Sequence, residues 1–228
     1  NALAANTTGA NNTGLGAYAG ASITTGSPNT AVGNNALDAL TTGGNNNALG
    51  YHALSALTTG SYNNAFGVSA LVAATTQAAS NAFGHHALDA ATTGQHNNAF
   101  GAEALGALTT GSYNSAFGGN CLLATTTASN NTGVGNDALK ANTTGGNHTA
   151  VGFGALGAVT TVGSLTGIGY QAGAANTSGV DNVYVGYQAG TAVTSGSNNV
   201  IVGNAAGDAI TTGGENTFIG SSAGGANT

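Results

Sequence analysis

The side chains that could do chemistry in this sequence are few. Five histidines are present, of which His52 and His86 stand two repeats apart, Glu103 follows one repeat beyond His86, and His85 adjoins. A transition metal needs three or four convergent ligands. Adjacent residues of a strand point to opposite faces, so His85 and His86 are expected to diverge. The set reads as solvent-facing histidines, and no metal site is expected. Three stretches, Gly14 to Ala19, Gly133 to Ala138 and Gly167 to Ala172, match G-x-G-x-x-A. A dinucleotide site would need a long helix after that turn and an acid about 20 residues on. Neither follows, so no cofactor is expected. The acids are scattered and assemble no Ser-His-Asp set, so no catalytic residue is assigned and the chain is not read as an enzyme. Cys121 is the only cysteine, which excludes an internal disulfide.

What remains is aromatic. Phe153, Tyr170 and Tyr187 fall at the same place in three successive repeats, with Tyr51 and His85 earlier in that column. They predict a surface strip suited to stacking on a sugar, and better suited to contact with neighbouring chains. Tyr62, His96 and Tyr113 form a sparser one.

All these residues sit on a 17-residue period. The first Thr of the Thr-Thr-Gly phrase recurs from Thr7 through Thr24 and Thr41 to Thr228, without insertion or deletion. Strict periods of this size describe a stacked solenoid. The expected architecture is an all-β parallel β-solenoid, a β-roll or β-helix, spanning 1–228 as one domain of about thirteen coils. At about 4.8 Å per coil that is roughly 60–65 Å. Both ends fall in mid-repeat, which suggests a piece of a longer fibrous protein.

Stacking the repeats gives columns. A Gly recurs from Gly16 through Gly33 to Gly220, and a position that rejects every side chain predicts a sharp corner. The residue before it is always large and apolar (Leu15, Val32, Leu49, Phe66, Phe83, Phe100, Phe117, onward to Ile219), and this column is expected to form the core. Two columns are almost wholly Ala, one from Ala2 to Ala223 broken by Cys121, the other from Ala5 to Ala226 broken by Ser22. They predict close approach of neighbouring layers. Between them a column is Leu in nine coils and Gly in five. Where Leu gives way to Gly near the C-terminus, Tyr184, Ile201 and Phe218 appear two positions before the corner Gly. Interiors are close-packed, so the two columns are expected to share one space. Gly20 departs from this rule.

Asn-Thr-Ala-Val-Gly alternates polar and apolar residues and predicts a strand. Thr-Thr is β-branched and suits a second strand or a strand edge. Ala-Leu-x-Ala-Leu is expected to be extended, although its spacing would also serve one helical turn per coil. Asn before the strand, in ten of thirteen coils, predicts a ladder of amides along the stack.

Seven acids and one cation, Lys140, make up the charge, with no Arg. Phosphate neutralisation needs several Lys or Arg, so nucleic acid is not an expected partner. No apolar run approaches the roughly 20 residues of a spanning helix, so membrane insertion is not expected. Sequons at Asn6, Asn11, Asn130, Asn142, Asn147 and Asn176 arise readily in Asn/Thr-rich repeats.

Ala31 to Ala36 and Ala150 to Ala155 carry Ala-Val-Gly-x-x-Ala. Here the chain resembles the head repeats of trimeric autotransporter adhesins, which form a parallel β-roll of three chains. With Ala-Leu and Thr-Thr-Gly included, it looks still more like repeats in phage tail fibres, whose trimers a self-cleaving chaperone domain often assembles. Its coil is longer than the adhesin coil by the Thr-Thr-Gly stretch. The resemblance implies a homotrimer or filament outside the cell, on a virion or as a cell-surface appendage. Its implied role is a stiff, protease-resistant spacer holding an adhesive or receptor-binding tip. A phage tail fibre leads and a bacterial adhesin or filament follows. An ice- or glycan-binding solenoid, the latter facing cell-surface glycans, is the reading of another class.

Overall fold

In the computed structural model, which describes residues 1–225, the strand predicted for each coil forms and no helix occurs among the described residues. Ala226 and Thr228, which end two of the columns, lie outside the described residues. The chain divides into two compact units, Asn1–Tyr113 and Asn114–Thr228. The first contains β1 (Thr13–Leu15), β2 (Asn29–Val32), β3 (Asn46–Leu49), β4 (Asn64–Phe66), β5 (Asn81–Phe83) and β6 (Asn98–Phe100). The second contains β7 (Ser115–Phe117), β8 (Thr132–Val134), β9 (Thr149–Val151), β10 (Thr166–Ile168), β11 (Val183–Val185), β12 (Val200–Val202) and β13 (Thr217–Ile219).

Within each unit successive strands pair in parallel, each residue beside its equivalent one coil later, such as Phe66 beside Phe83 and Val134 beside Val151. Both units are therefore parallel β-solenoids of 17-residue coils. The corner Gly positions have φ between +127° and +152°. A Cβ on Gly33 would lie 2.5 Å from the carbonyl oxygen of Gly50 in the next coil. Both the conformation and the close approach demand Gly there.

The Ala-Leu-x-Ala-Leu phrase is neither extended nor helical. It folds as consecutive hydrogen-bonded turns: Ala53 N–H donates to Gly50 O at 3.3 Å and Leu57 N–H to Leu54 O at 3.2 Å. The turn places Leu37, Leu54 and Leu71 in the left-handed region, with φ of 52–53°. That conformation costs an ordinary residue about 1–2 kcal/mol. Full burial of a Leu contributes about 1.5–3 kcal/mol, enough to hold it. The Thr-Thr stretch forms no strand either. Instead the first Thr bonds straight to the next coil: the Thr24 N–H and Oγ1–H both donate to Thr41 O, at 3.0 and 3.2 Å.

The interior is narrow. It holds the strand Ala column (Ala31, Ala48, Ala65), the first Ala column (Ala19 to Ala206, with Cys121), the Leu column and a second apolar column including Ile23, Leu40, Leu57 and Val159. The other Ala column, near Ala39 and Ala56, is only half-buried. Volume is shared as the sequence suggests. Cβ atoms on Gly173 and Gly190 would both run into the Tyr184 ring, and one on Gly207 would lie 2.8 Å from Ile201 Cδ1. Gly20 is explained by Ile23, whose Cδ1 fills that space 2.8 Å away. A further close approach was not anticipated: Cys121, larger than its column's Ala, projects against Gly133, where the neighbouring strands carry Ala116 and Ala150.

The core assignment of the pre-corner column is overturned. Leu49 is 45% exposed, Phe117 41% and Ile168 39%. Strand side chains alternate between faces, and the inward positions belong to the ladder Asn and to Ala. The interior has no room for four stacked Phe. Phe66, Phe83 and Phe100 do stack, with centroids 4.7 Å apart and planes within 6°, but on the outer face.

Candidate functional surface

The amides of the expected Asn ladder lie inside, where they complete the backbone's hydrogen bonding. Asn46 is representative. Its N–H and Nδ2–H donate to Asn29 Oδ1 at 3.0 and 3.1 Å, and its Nδ2–H also donates to Gly60 O at 2.9 Å. Its own Oδ1 accepts from the Asn63 N–H and Nδ2–H. A buried polar group costs free energy unless it is bonded, and this arrangement satisfies the side chain fully. Gln77, in a column that is mostly Gly, is the exception: its buried amide has no partner.

His148 takes an Asn's place in the second unit. Leu165 N–H donates to its Nδ1 at 3.2 Å, so Nδ1 is unprotonated and Nε2–H donates to Val162 O at 2.8 Å. Burial pushes its pKa below the ordinary 6.5, with the bond to Val162 opposing. The folded state thus refuses a proton that the unfolded chain accepts. Its contribution to stability is complete above pH about 6.5 and is lost as pH falls from there through the depressed folded value. Thermal melts between about pH 8 and pH 5 should show a falling midpoint, and His148→Asn should flatten that slope. An unchanged slope in the variant would assign the pH dependence elsewhere.

The other histidines do not form a ligand set. His86 Nδ1 lies 2.7 Å from Asp89 Oδ2, and His52 Nε2 lies 3.3 Å from Asn35 Nδ2. His85 and His86 do not diverge; they occupy a turn, and their rings meet edge to face at 4.1 Å. Among the described residues no group of three or more His, Cys, Asp or Glu could hold a metal. Among the described residues no helix is long and apolar enough to cross a membrane. Burial pushes the Cys121 thiol up to about 12, so it is protonated and inert at neutral pH. Of the sequon residues, Asn142 and Asn176 are buried and bonded internally, Asn176 to Tyr184 Oη at 2.9 Å.

Phe153, Tyr170 and Tyr187 do form an exposed stack, with centroids 5.6 and 5.2 Å apart and planes within 13°. This geometry bears on sugars. A pyranose packs on a ring's face, but Tyr170 has a neighbouring ring over each face and offers its edge and hydroxyl. His96 and Tyr113 stack in the same way at 5.1 Å, while Tyr62 is exposed.

The surface missed in the sequence is the outer face of the sheet. It joins the pre-corner apolar residues to a polar column two positions earlier. In the first unit this column includes Asn47, Asn64, Asn81 and Asn98, joined by Nδ2–H to Oδ1 bonds of 2.7–2.8 Å. In the second unit it includes Thr132, Thr149 and Thr166, with Val183 and Val200 continuing it as apolar residues. A signal was available: the pre-corner column varies freely from Val to Phe with no compensating change elsewhere, which an enclosed position could not do.

No family model, curated protein or solved structure matches the chain.

Proposed function

We propose that this chain is a structural segment of an extracellular fibre, a stiff spacer that carries an adhesive or receptor-binding tip. A phage tail fibre is the leading host, and a bacterial surface adhesin or filament subunit is the second. The observation that carries this reading is that each coil's polar groups are spent on the next coil. Backbone, Thr hydroxyls and Asn amides all bond along the stack. Such cross-coil bonding resists bending and local opening, which is what a spacer requires and a catalyst does not. Self-association, in a homotrimer or filament, belongs to the same proposal and follows from the resemblance.

The ice and glycan readings gain less support. In coil after coil, as at Thr24, Thr58, Thr143 and Thr194, the first Thr spends its hydroxyl on a carbonyl of the next coil, and the aromatic strip shows edges. Stiffness is testable by spin-label distances within each unit, because buried Cys121 leaves introduced cysteines as the reactive thiols. Labels on exposed Thr8 and Thr93, or on Thr127 and Thr212, span five coils, roughly 24 Å at about 4.8 Å each. Narrow distributions at that distance are expected for both pairs. A broad distribution within either unit would remove the spacer proposal.

A further inference from the structure

We propose that the first unit encloses an internal water site between the coils of Gln77 and Gly94, where its amide ladder is interrupted. Ser80 stands in the column that holds Asn29, Asn46 and Asn63 in earlier coils. There the ladder amide donates to a carbonyl one coil on, Asn46 Nδ2–H to Gly60 O and Asn63 Nδ2–H to Gln77 O, both at 2.9 Å. The equivalent acceptor after Ser80 is Gly94 O. Asn97 then resumes the pattern, donating to Gly111 O at 2.8 Å. A Ser hydroxyl is too short to make this bond. Its Oγ–H is directed at Ala78 O of its own coil, at 3.4 Å, and its Oγ accepts from the Asn97 N–H. Gly94, a buried residue, therefore has no ladder amide to serve its carbonyl.

The same coil carries a second irregularity. The column of Gln77 is Gly in most coils, and space is one reason. A Cβ on Gly43 would lie 2.9 Å from Leu40 Cδ1, and one on Gly60 would lie 2.7 Å from Leu57 Cδ1. Beside Gln77 that Leu has become Ala74, and one coil on it is Ala91, both fully buried. The Gln77 side chain thus enters the room that Leu fills elsewhere, and it is fully buried too. Two Leu and an Asn, exchanged for Ala74, Ala91 and Ser80, give up more side-chain atoms than Gln77 returns. Interiors are close-packed, and the cavities that stay empty in proteins are apolar ones.

Gln77 decides what fills this one. Its Nε2 and Oε1 are both buried and have no partner in the protein. An amide left so is costly. A suitable ligand must accept from Nε2–H and donate to Oε1 and to Gly94 O. A metal cation could bind the oxygens, but it would leave the Nε2–H groups unmet. Water meets both demands: a buried water makes two to four hydrogen bonds and occupies about 30 Å³. One water accepts from Gln77 Nε2–H and donates to Gly94 O, giving that carbonyl the donor that Ser80 withholds. A second serves Oε1.

The gap that Leu165 makes in the ladder of the second unit has no such need. One coil on, the Asn176 amide donates to Tyr184 Oη at 2.9 Å and accepts from the Gly179 N–H at 3.0 Å. The water site belongs to the Ser80 coil.

Water contacts in the full chain test the proposal. In the wild type, rotating-frame Overhauser spectra should connect the Gln77 Nε2 protons to water. Oxygen-17 relaxation dispersion, which is blind to exchanging hydroxyl protons, should report long-lived internal water. The triple variant Ala74→Leu, Gln77→Gly and Ser80→Asn gives this coil the residues of its neighbour, Leu57, Gly60 and Asn63, so its fold is already proven in the same chain. Its dispersion amplitude should fall by one or two waters against wild type, with an unchanged circular dichroism spectrum.

Gln77 Nε2 protons without a water contact would overturn the proposal. So would a through-bond coupling from Gln77 Nε2 to the Gly94 carbonyl carbon, which would show the amide reaching that carbonyl unaided. An equal dispersion amplitude in the triple variant would overturn it as well. The spacer proposal stands or falls separately, on the spin-label distances.

Discussion

Gly118→Ala is expected to destabilise the second unit by at least about 4 kcal/mol, while Gly119→Ala, one residue on, changes stability by less than about 1 kcal/mol. The contrast is geometric. Gly118 has φ +139°, and a Cβ there would lie 2.6 Å from both the carbonyl carbon and oxygen of Gly135 and 2.9 Å from Asn136 N. Those are backbone atoms of the next coil, held by the ladder and unable to yield. Backbone in so sparsely populated a region adds about 1–3 kcal/mol for a residue with a side chain. At Gly119 the nearest atom to a Cβ is 3.6 Å away, on the Asn136 side chain. The Gly119 N–H bond to Asn136 Oδ1 survives the change. Denaturant melts of the two variants beside wild type decide the matter. Equal midpoints for both would mean that the corner does not have this geometry.

The second large effect is expected inside the coil. Asn46→Ala removes the amide that serves Gly60 O and accepts from the Asn63 backbone. Leaving a buried backbone group unpaired costs about 1–3 kcal/mol each, so the variant should lose about 3–5 kcal/mol. Asn46→Ser should lose roughly half of that. Ser80 shows why: it accepts from the Asn97 N–H through its Oγ, keeping the upward bond of the ladder. Hydrogen exchange supplies a local readout, because the Asn63 amide should lose protection in Asn46→Ala and largely retain it in Asn46→Ser. Protection unchanged in both would show that the column is not structural. Since each coil of a solenoid contacts mainly its neighbours, the loss should be greatest in the adjoining coils.

Much of the architecture could be read from residues alone. The corner Gly, the amide ladder, the buried Ala column and the exchange of volume between Leu and Tyr184 each left a mark in one column. Each is a local constraint: a forbidden side chain, a required hydrogen bond, a fixed volume. The turns were less legible. Leu at φ near 53° contradicts its own preference, and only the burial supplied by neighbouring coils holds it there.

The functional surface divides in the same way. The stack of Phe153, Tyr170 and Tyr187 follows from spacing, since equivalent residues must lie one coil apart. Which faces of those rings water reaches depends on their planes, and the structure sets those nearly parallel. Period and composition by themselves determined that the chain is a parallel β-solenoid with charge confined to a few turn positions. The tertiary structure decided which side of each strand is inside. Alternation sorts residues into two faces but does not say which is enclosed, and hydrophobicity alone favoured the larger side chains. The enclosed cross-section of a 17-residue coil settles the choice. It accommodates Asn and Ala, and within each unit turns the larger apolar residues outward as a ladder.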